Sequence, residues 1–198
     1  VALMATETFT TARLILRPLV ANDVDALWCT LGRADVMEHY VDLSDHSSGW
    51  THEQVATFIE SCVSAWQHDK MGRWGLVHRA TNELIGYCGL SRMAYLPELD
   101  GLPELDVSIH PDYWGQGLAR EAATFARDWI FRHGVVSMIA CHVPAHTRSA
   151  SLVKNLGLNY ERTCGYHSPI SGRTSDFLVY RITRNSWMSI VGAGDKVT

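Results

Sequence analysis

The chain has 198 residues, 46% of them hydrophobic and 19% charged, with a formal net charge of −4. That composition suits one domain with a sizeable core, and its scattered Lys and Arg exclude the basic stripe of a nucleic-acid binder. No apolar run approaches the ~20 residues needed to span a bilayer, and no basic-then-apolar export signal opens the chain, so a cytoplasmic protein with no membrane partner is expected.

In chain order, residues 13–19 (RLILRPL) alternate like a short strand that stops at Pro18. Asn22 is placed to cap a helix running to Leu31, with Asp23 and Asp25 in its first turn. Thr51 and Gln54 form a capping box, followed by a helical stripe of Val55, Phe58, Ile59, Cys62 and Trp66. Residues 74–78 and 84–90 read as a hairpin turning at 80–83. An acidic loop, YLPELDGLPE, then leads into the strand ELDVSIH. Leu118, Ala122, Phe125 and Trp129 make a second helical stripe that Gly134 ends. VVSMIACHV is a strand, TRSASLVKNLGL a short helix stopped by Gly157, and NYERTCGYH with SDFLVYRIT a closing strand pair. The order βααββ-loop-βαβαββ describes an α/β (α+β) fold, a mixed sheet with helices on both faces. One domain over 1–198 is expected, with 1–10 and 186–198 as peripheral tails.

The five cysteines (29, 62, 88, 141, 164) are odd in number and isolated from one another, which argues for buried free thiols rather than disulfides or a zinc knuckle. His142 and His146 have metal-like spacing, but Pro144 between them rules out a shared helix face, and no metal is expected.

The most informative stretch is HPDYWGQGLAREA, where Gly115 and Gly117 stand between a strand and an amphipathic helix. It is not a P-loop, which needs Gly-Lys-Ser/Thr, nor a dinucleotide fingerprint, whose third glycine is replaced by Arg120. Bare backbone at a helix N-terminus offers several N–H groups and the positive end of the helix dipole, a cradle for a diphosphate. Residues 114–119 (WGQGLA) resemble the coenzyme A pyrophosphate loop of the GNAT acetyltransferases, in the variant of the RimJ/RimL type that acetylates protein N-terminal amines. The resemblance extends to TARLILRPL as the first strand, ELIGYCGL as the third, the ungapped run ELDVSIHPDYWGQGLAREA, and HTRSASLVKNLGL. Two departures stand out: Asp106-Val107 in place of Gly and an aromatic, and His146 in place of Asn.

The resemblance implies a mostly antiparallel sheet with a splayed central strand pair, and acetyl-CoA as cosubstrate. Its pantetheine would pair with the backbone of Val107, Ser108 and Ile109, which also supply the oxyanion N–H. The diphosphate would lie on Trp114, Gly115, Gln116, Gly117, Leu118, Ala119 and Arg120, with His146 and Ser149 adding contacts to coenzyme A. Acetyl transfer needs a base for the amine and help for the departing thiolate. Glu104, sharing a strand face with Asp106, is the candidate base acting through water, and most effective at low and neutral pH; Ser149 is the candidate hydrogen-bond donor to sulfur. Without the resemblance, solvated loop-edge carboxylates are the favoured reading of Glu104 and Asp106.

The acceptor is expected to be a primary amine. A protein or peptide N-terminus and a small amine are both open, and Glu98, Asp100, Glu104 and Asp106, uninterrupted by Lys or Arg, favour a cationic one. A non-catalytic acyl-CoA sensor of the same fold is the alternative. Either a monomer or a homodimer fits.

Overall fold

A computed structural model describes residues 7–40, 48–69, 71–169 and 172–194. Eight strands form one sheet in the order β1-β2-β3-β4-β5-β6-β8-β7. They are β1 (Phe9–Thr10), β2 (Leu14–Pro18), β3 (Arg73–His78), β4 (Glu83–Arg92), β5 (Pro103–Ile109), β6 (Ser137–His142), β7 (Asn159–His167) and β8 (Thr174–Thr183). Every neighbouring pair is antiparallel except β5–β6, which is parallel and registers at one position, Glu104 opposite Ile139.

The helices are α1 (Val24–Leu31), α2 (Ala34–Met37), α3 (His52–His68), α4 (Leu118–Arg132), α5 (Thr147–Asn155) and α6 (Arg184–Gly194). Neighbouring residues of β4 send side chains to opposite faces, and these mark two separate cores. Cys88 joins the larger one with Leu105, Ile109 and the buried stripe of α4, while Tyr87 joins a second with Leu27 and Leu31 of α1 and Val55 and Ile59 of α3. The mixed sheet with helices on both faces therefore follows the sequence pattern, since each apolar stripe needs a sheet face to cover it.

Local chemistry matches the expectation at α3 and departs from it at α1. The Thr51 hydroxyl accepts from the Gln54 N–H at 3.2 Å, and the Gln54 side chain accepts from the Thr51 N–H at 2.8 Å. Asn22 does not cap α1. It lies inside a 3-10 turn over Ala21–Asp23; Asp23 occupies the N-cap position of α1 without a side-chain cap bond and instead fixes the turn, accepting from the Val20 N–H at 2.8 Å and from both terminal nitrogens of Arg17 at 2.7 Å. The bidentate charged pair of Arg17 and Asp23 fixes this turn. Cys29 is exposed, contrary to the reading of five buried thiols; Cys62, Cys88 and Cys164 are buried, and Cys141 is half-buried.

The expected tails also need correction where they are described. Phe9 in β1 packs against Trp74 and Phe125, with ring centroids 6.0 and 5.0 Å away. Residues 184–194 form α6, whose Trp187 stacks on Phe131 at 5.4 Å and donates to Asp128 at 2.8 Å. Replacing Trp187 with Ala should cost about 3–5 kcal/mol of folding stability, the usual loss for a buried indole. Urea denaturation measures it, and a loss under about 1 kcal/mol would show that α6 is dispensable to the core.

Candidate active site

The parallel junction sets the geometry. The His110 N–H donates to the Ile85 carbonyl of β4 at 2.7 Å. Alternation along β5 then turns the backbone groups of Ser108 towards β4 and those of Val107 and Ile109 the other way, into the gap where β5 and β6 part. One of these groups is claimed: the Trp114 indole N–H donates to the Ile109 carbonyl at 2.7 Å, tying the loop after β5 to the strand.

Beyond Trp114 the backbone is left-handed at Gly115 (φ 74°) and Gly117 (φ 76°), a conformation that L side chains rarely adopt. A Cβ on Gly115 would meet nothing within 4 Å, so its requirement is conformational rather than steric. Gly117 is the N-cap of α4, and its carbonyl accepts the Glu121 N–H at 3.1 Å, the first bond of the helix. The N–H groups of residues 118–120 consequently have no partner within α4. Arg13 braces the loop from β2, donating to the Gln116 carbonyl at 2.7 Å and to Glu121 at 2.8 Å.

These elements enclose a cleft of about 550 Å³. It is lined by residues 107–109, 114–120, His146 and Ser149, every position that the sequence assigned to coenzyme A. Helix N-terminal amides with Arg120 and Arg148 in the same cleft form a donor set suited to a diphosphate. Arg148, which sequence reasoning did not single out, holds its guanidinium 3.8 Å from the Trp114 ring centre.

A second cleft of about 460 Å³ shares Tyr40, Val107, His146, Ser149 and Leu152 with the first, so the two meet at the strand gap. Glu104 and Asp106 face it from β5, but neither is a solvated loop-edge carboxylate. Glu104 is 8% exposed and accepts a 2.6 Å hydrogen bond from the Tyr95 hydroxyl. Burial pushes its carboxyl up to about 7, against the Tyr95 bond, which favours the charged form. The carboxylate of Asp106 accepts from Arg73 at 2.9 Å and from the Tyr87 hydroxyl at 3.0 Å; the Tyr87 hydroxyl also bonds that of Tyr40 at 2.8 Å.

Arg73, Gly89 and Asp106 occupy one row across β3, β4 and β5, and a Cβ on Gly89 would meet the Gly72 carbonyl oxygen and, at 2.5 Å, the Arg73 Cα, so the glycine lets the backbones approach closely there. Sequence reasoning missed Arg73, Tyr40, Tyr87 and Tyr95. The hairpin pairing carried a signal for Arg73, since it fixes who sits opposite Gly89. Tyr95 had none, because its loop follows no period.

The acidic-cluster expectation is overturned in part. Glu98 and Asp100 are exposed and are not among the cleft's lining residues, and Arg73 does interrupt the charge of the remaining pair. His146 is the N-cap residue of α5, though its side chain makes no cap bond. Its ring packs against that of His39, tilted by 34° with centres 4.2 Å apart, and burial lowers its pKa to about 4, leaving the imidazole neutral. Ser149 lines both clefts from the first turn of α5. His142 bonds the Val143 carbonyl through Nδ1 at 2.9 Å, which places the proton there. Its buried Nε2 has no partner among the described residues. No cluster of three or more metal-ligating side chains occurs among the described residues, and none of their helices is long and apolar enough to cross a membrane.

Comparison with known proteins bears on this arrangement. The family model described as the acetyltransferase (GNAT) domain matches residues 13–159. The chain is 26% identical over 175 residues to the N-acetyltransferase YoaA of Bacillus subtilis, itself described as uncharacterized, covering 88% of this chain and 95% of that protein. Its fold matches the ribosomal-protein-S5-alanine acetyltransferase of Vibrio fischeri with a TM-score of 0.73 at 18% identity, covering 91% and 98% of the two chains. It also matches RimL, the ribosomal L7/L12 α-N-protein acetyltransferase solved with coenzyme A, at a TM-score of 0.73 and 13% identity over 89% and 98% of the chains. With the family model covering residues 13–159, which include the glycine loop and the strand gap, the chain belongs to the GNAT acetyltransferase family and is an acetyl-CoA-dependent acetyltransferase.

Proposed function

We propose that this enzyme transfers the acetyl group of acetyl-CoA to a primary amine, a peptide or protein α-amine among them, by direct attack with both substrates bound. The observation that carries this reading is the meeting of the two clefts at the β5–β6 gap, with the amide cradle of α4 on one side and buried Glu104 on the other. Acetyl-CoA supplies an activated thioester. The amides of residues 118–120 with Arg120 hold its diphosphate, and the N–H groups of Val107 and Ile109 face the gap where the thioester oxygen gains charge. Glu104 takes the amine proton through water. Ser149, at the junction, donates a hydrogen bond to the sulfur, since a serine hydroxyl is too weak an acid to surrender its proton. Neutral His146 offers one ring N–H to coenzyme A where the family's Asn offers an amide.

Gly117→Asp introduces an anion and a left-handed L residue at the proposed cradle. It should weaken coenzyme A binding about 100-fold or more, close to 3 kcal/mol. Calorimetry on the folded variant reads this directly, and unchanged affinity would remove the cradle from the reading.

A carboxyl with a pKa about 7 is an effective base only above that pH. The greatest need for Glu104 therefore moves upward from the low-to-neutral range that the sequence suggested. The wild-type kcat/KM should rise through pH 7. Glu104→Gln should lose that rise, with a deficit of about 10²–10⁴-fold near pH 8. Coincident wild-type and variant profiles would exclude Glu104 from the chemistry.

The same ionisation shapes stability. Because the folded carboxyl holds its proton to higher pH than the 4.5 of a free side chain, the fold loses stability as pH rises through about 7. Glu104→Gln should accordingly be more stable than wild type at pH 8, by on the order of 3 kcal/mol, and should lose that advantage near pH 4. Urea midpoints at the two pH values decide it; a variant less stable than wild type at pH 8 would contradict the proposed cost of the buried charge.

A further inference from the structure

The second cleft is built from ring faces around a charge that is almost entirely spent. On one side stand Tyr40, Trp50, Phe58 and Tyr87, with the Trp50–Phe58 and Phe58–Tyr87 ring centres 5.4 and 4.8 Å apart. On the other stand Tyr95, Tyr166 and Phe177, whose ring centres are 5.5–6.0 Å from one another. Trp50, Phe58, Tyr95 and Tyr166 are only half-buried, so their rings form walls of the cleft instead of filling the core.

The polar ends of three of these tyrosines point away from any ligand role. Tyr95 is spent on Glu104, and Tyr40 and Tyr87 are chained to Asp106. Asp106 is neutralised by Arg73, which also donates to Ser91 at 2.8 Å and lies over the Phe58 and Tyr87 rings at 5.3 and 5.9 Å. Among the described lining residues, that leaves Glu104 as the carboxylate without an ion-pair partner. A polycation would find no matching field here, and would meet Arg73. A ring attached to the reacting amine would find edges and faces to pack against on both sides of Glu104.

We infer that the acceptor is a primary amine carrying an aromatic ring one or two carbons from the nitrogen, seated between the Trp50–Phe58 wall and the Tyr95–Tyr166–Phe177 wall. This deepens the proposed reaction and rests on it. The inference replaces the cationic acceptor suggested by the acidic sequence run, because Glu98 and Asp100 do not line the cleft.

The test compares kcat/KM for 2-phenylethylamine, ethylamine and spermidine with saturating acetyl-CoA, alongside calorimetric titration of 2-phenylethylamine into the coenzyme A-saturated enzyme. 2-Phenylethylamine should exceed both others by about tenfold or more, since burying a phenyl ring is worth more than the 1.4 kcal/mol of one decade. Phe58→Leu should narrow the ratio of 2-phenylethylamine to ethylamine, with coenzyme A affinity reporting that the variant is folded. Spermidine or ethylamine matching the aromatic amine would overturn the inference while leaving acetyl transfer intact. So would an absence of both turnover and calorimetric binding for 2-phenylethylamine in protein that binds coenzyme A. Failure to bind coenzyme A would instead strike the proposed reaction itself.

Discussion

The arrangement of both clefts depends on one weak seam in the sheet. Seven strand pairings in the sheet include a single parallel one, and it registers only at Glu104 opposite Ile139. Parallel partners cannot be joined by a tight turn, so β5 leaves through a loop and α4 before the chain returns as β6. That connection places the N-terminus of α4 against the end of β5, and the parting strands leave the backbone of Val107 and Ile109 facing an opening rather than a neighbour. The two clefts meet at that opening, which is why both are lined by Val107, His146 and Ser149.

The seam also explains the electrostatics. Glu104 sits at the last position where β5 and β6 still pair, so it is buried by the sheet itself while its side chain faces the cleft. A carboxylate there loses more in hydration than it regains from the Tyr95 hydrogen bond and its other neighbours, and the neutral form gains accordingly. Two residues on, Asp106 has lost water too, but the Arg73–Gly89–Asp106 row supplies a cation and a tyrosine hydroxyl. Two carboxylates on one strand face thus sit in different environments, one with its pKa raised by burial and one paired with Arg73 and Tyr87 beside the wall of rings.

Much of this was legible in the sequence because it is written in short-range pattern. The Thr51–Gln54 capping box, the stripes of α3 and α4, and the alternation of β5 that puts Glu104 with Asp106 all follow from residues within a turn or two of one another. The glycine loop was legible for the same reason, since positive φ at 115 and 117 leaves few other residue choices. What escaped depends on distance. Arg17 paired with Asp23 to fix the turn before α1, Trp187 turned an expected tail into part of the core, and Arg73 reached Asp106 across an intervening strand. Neighbours in the acidic run are not neighbours in space: Leu96 and Leu99 are buried, while Glu98 and Asp100 are exposed and do not line the cleft.

The claim on which the rest leans is that burial at the seam poises Glu104 near neutrality. Carbon-13 NMR of the Glu104 side-chain carboxyl, assigned by comparison with the Gln variant, follows that ionisation directly in the coenzyme A-bound enzyme. The account predicts a single titration with a midpoint near pH 7. A midpoint in the ordinary glutamate range, about 4 to 5, would show a carboxylate already charged and solvated, and would contradict it.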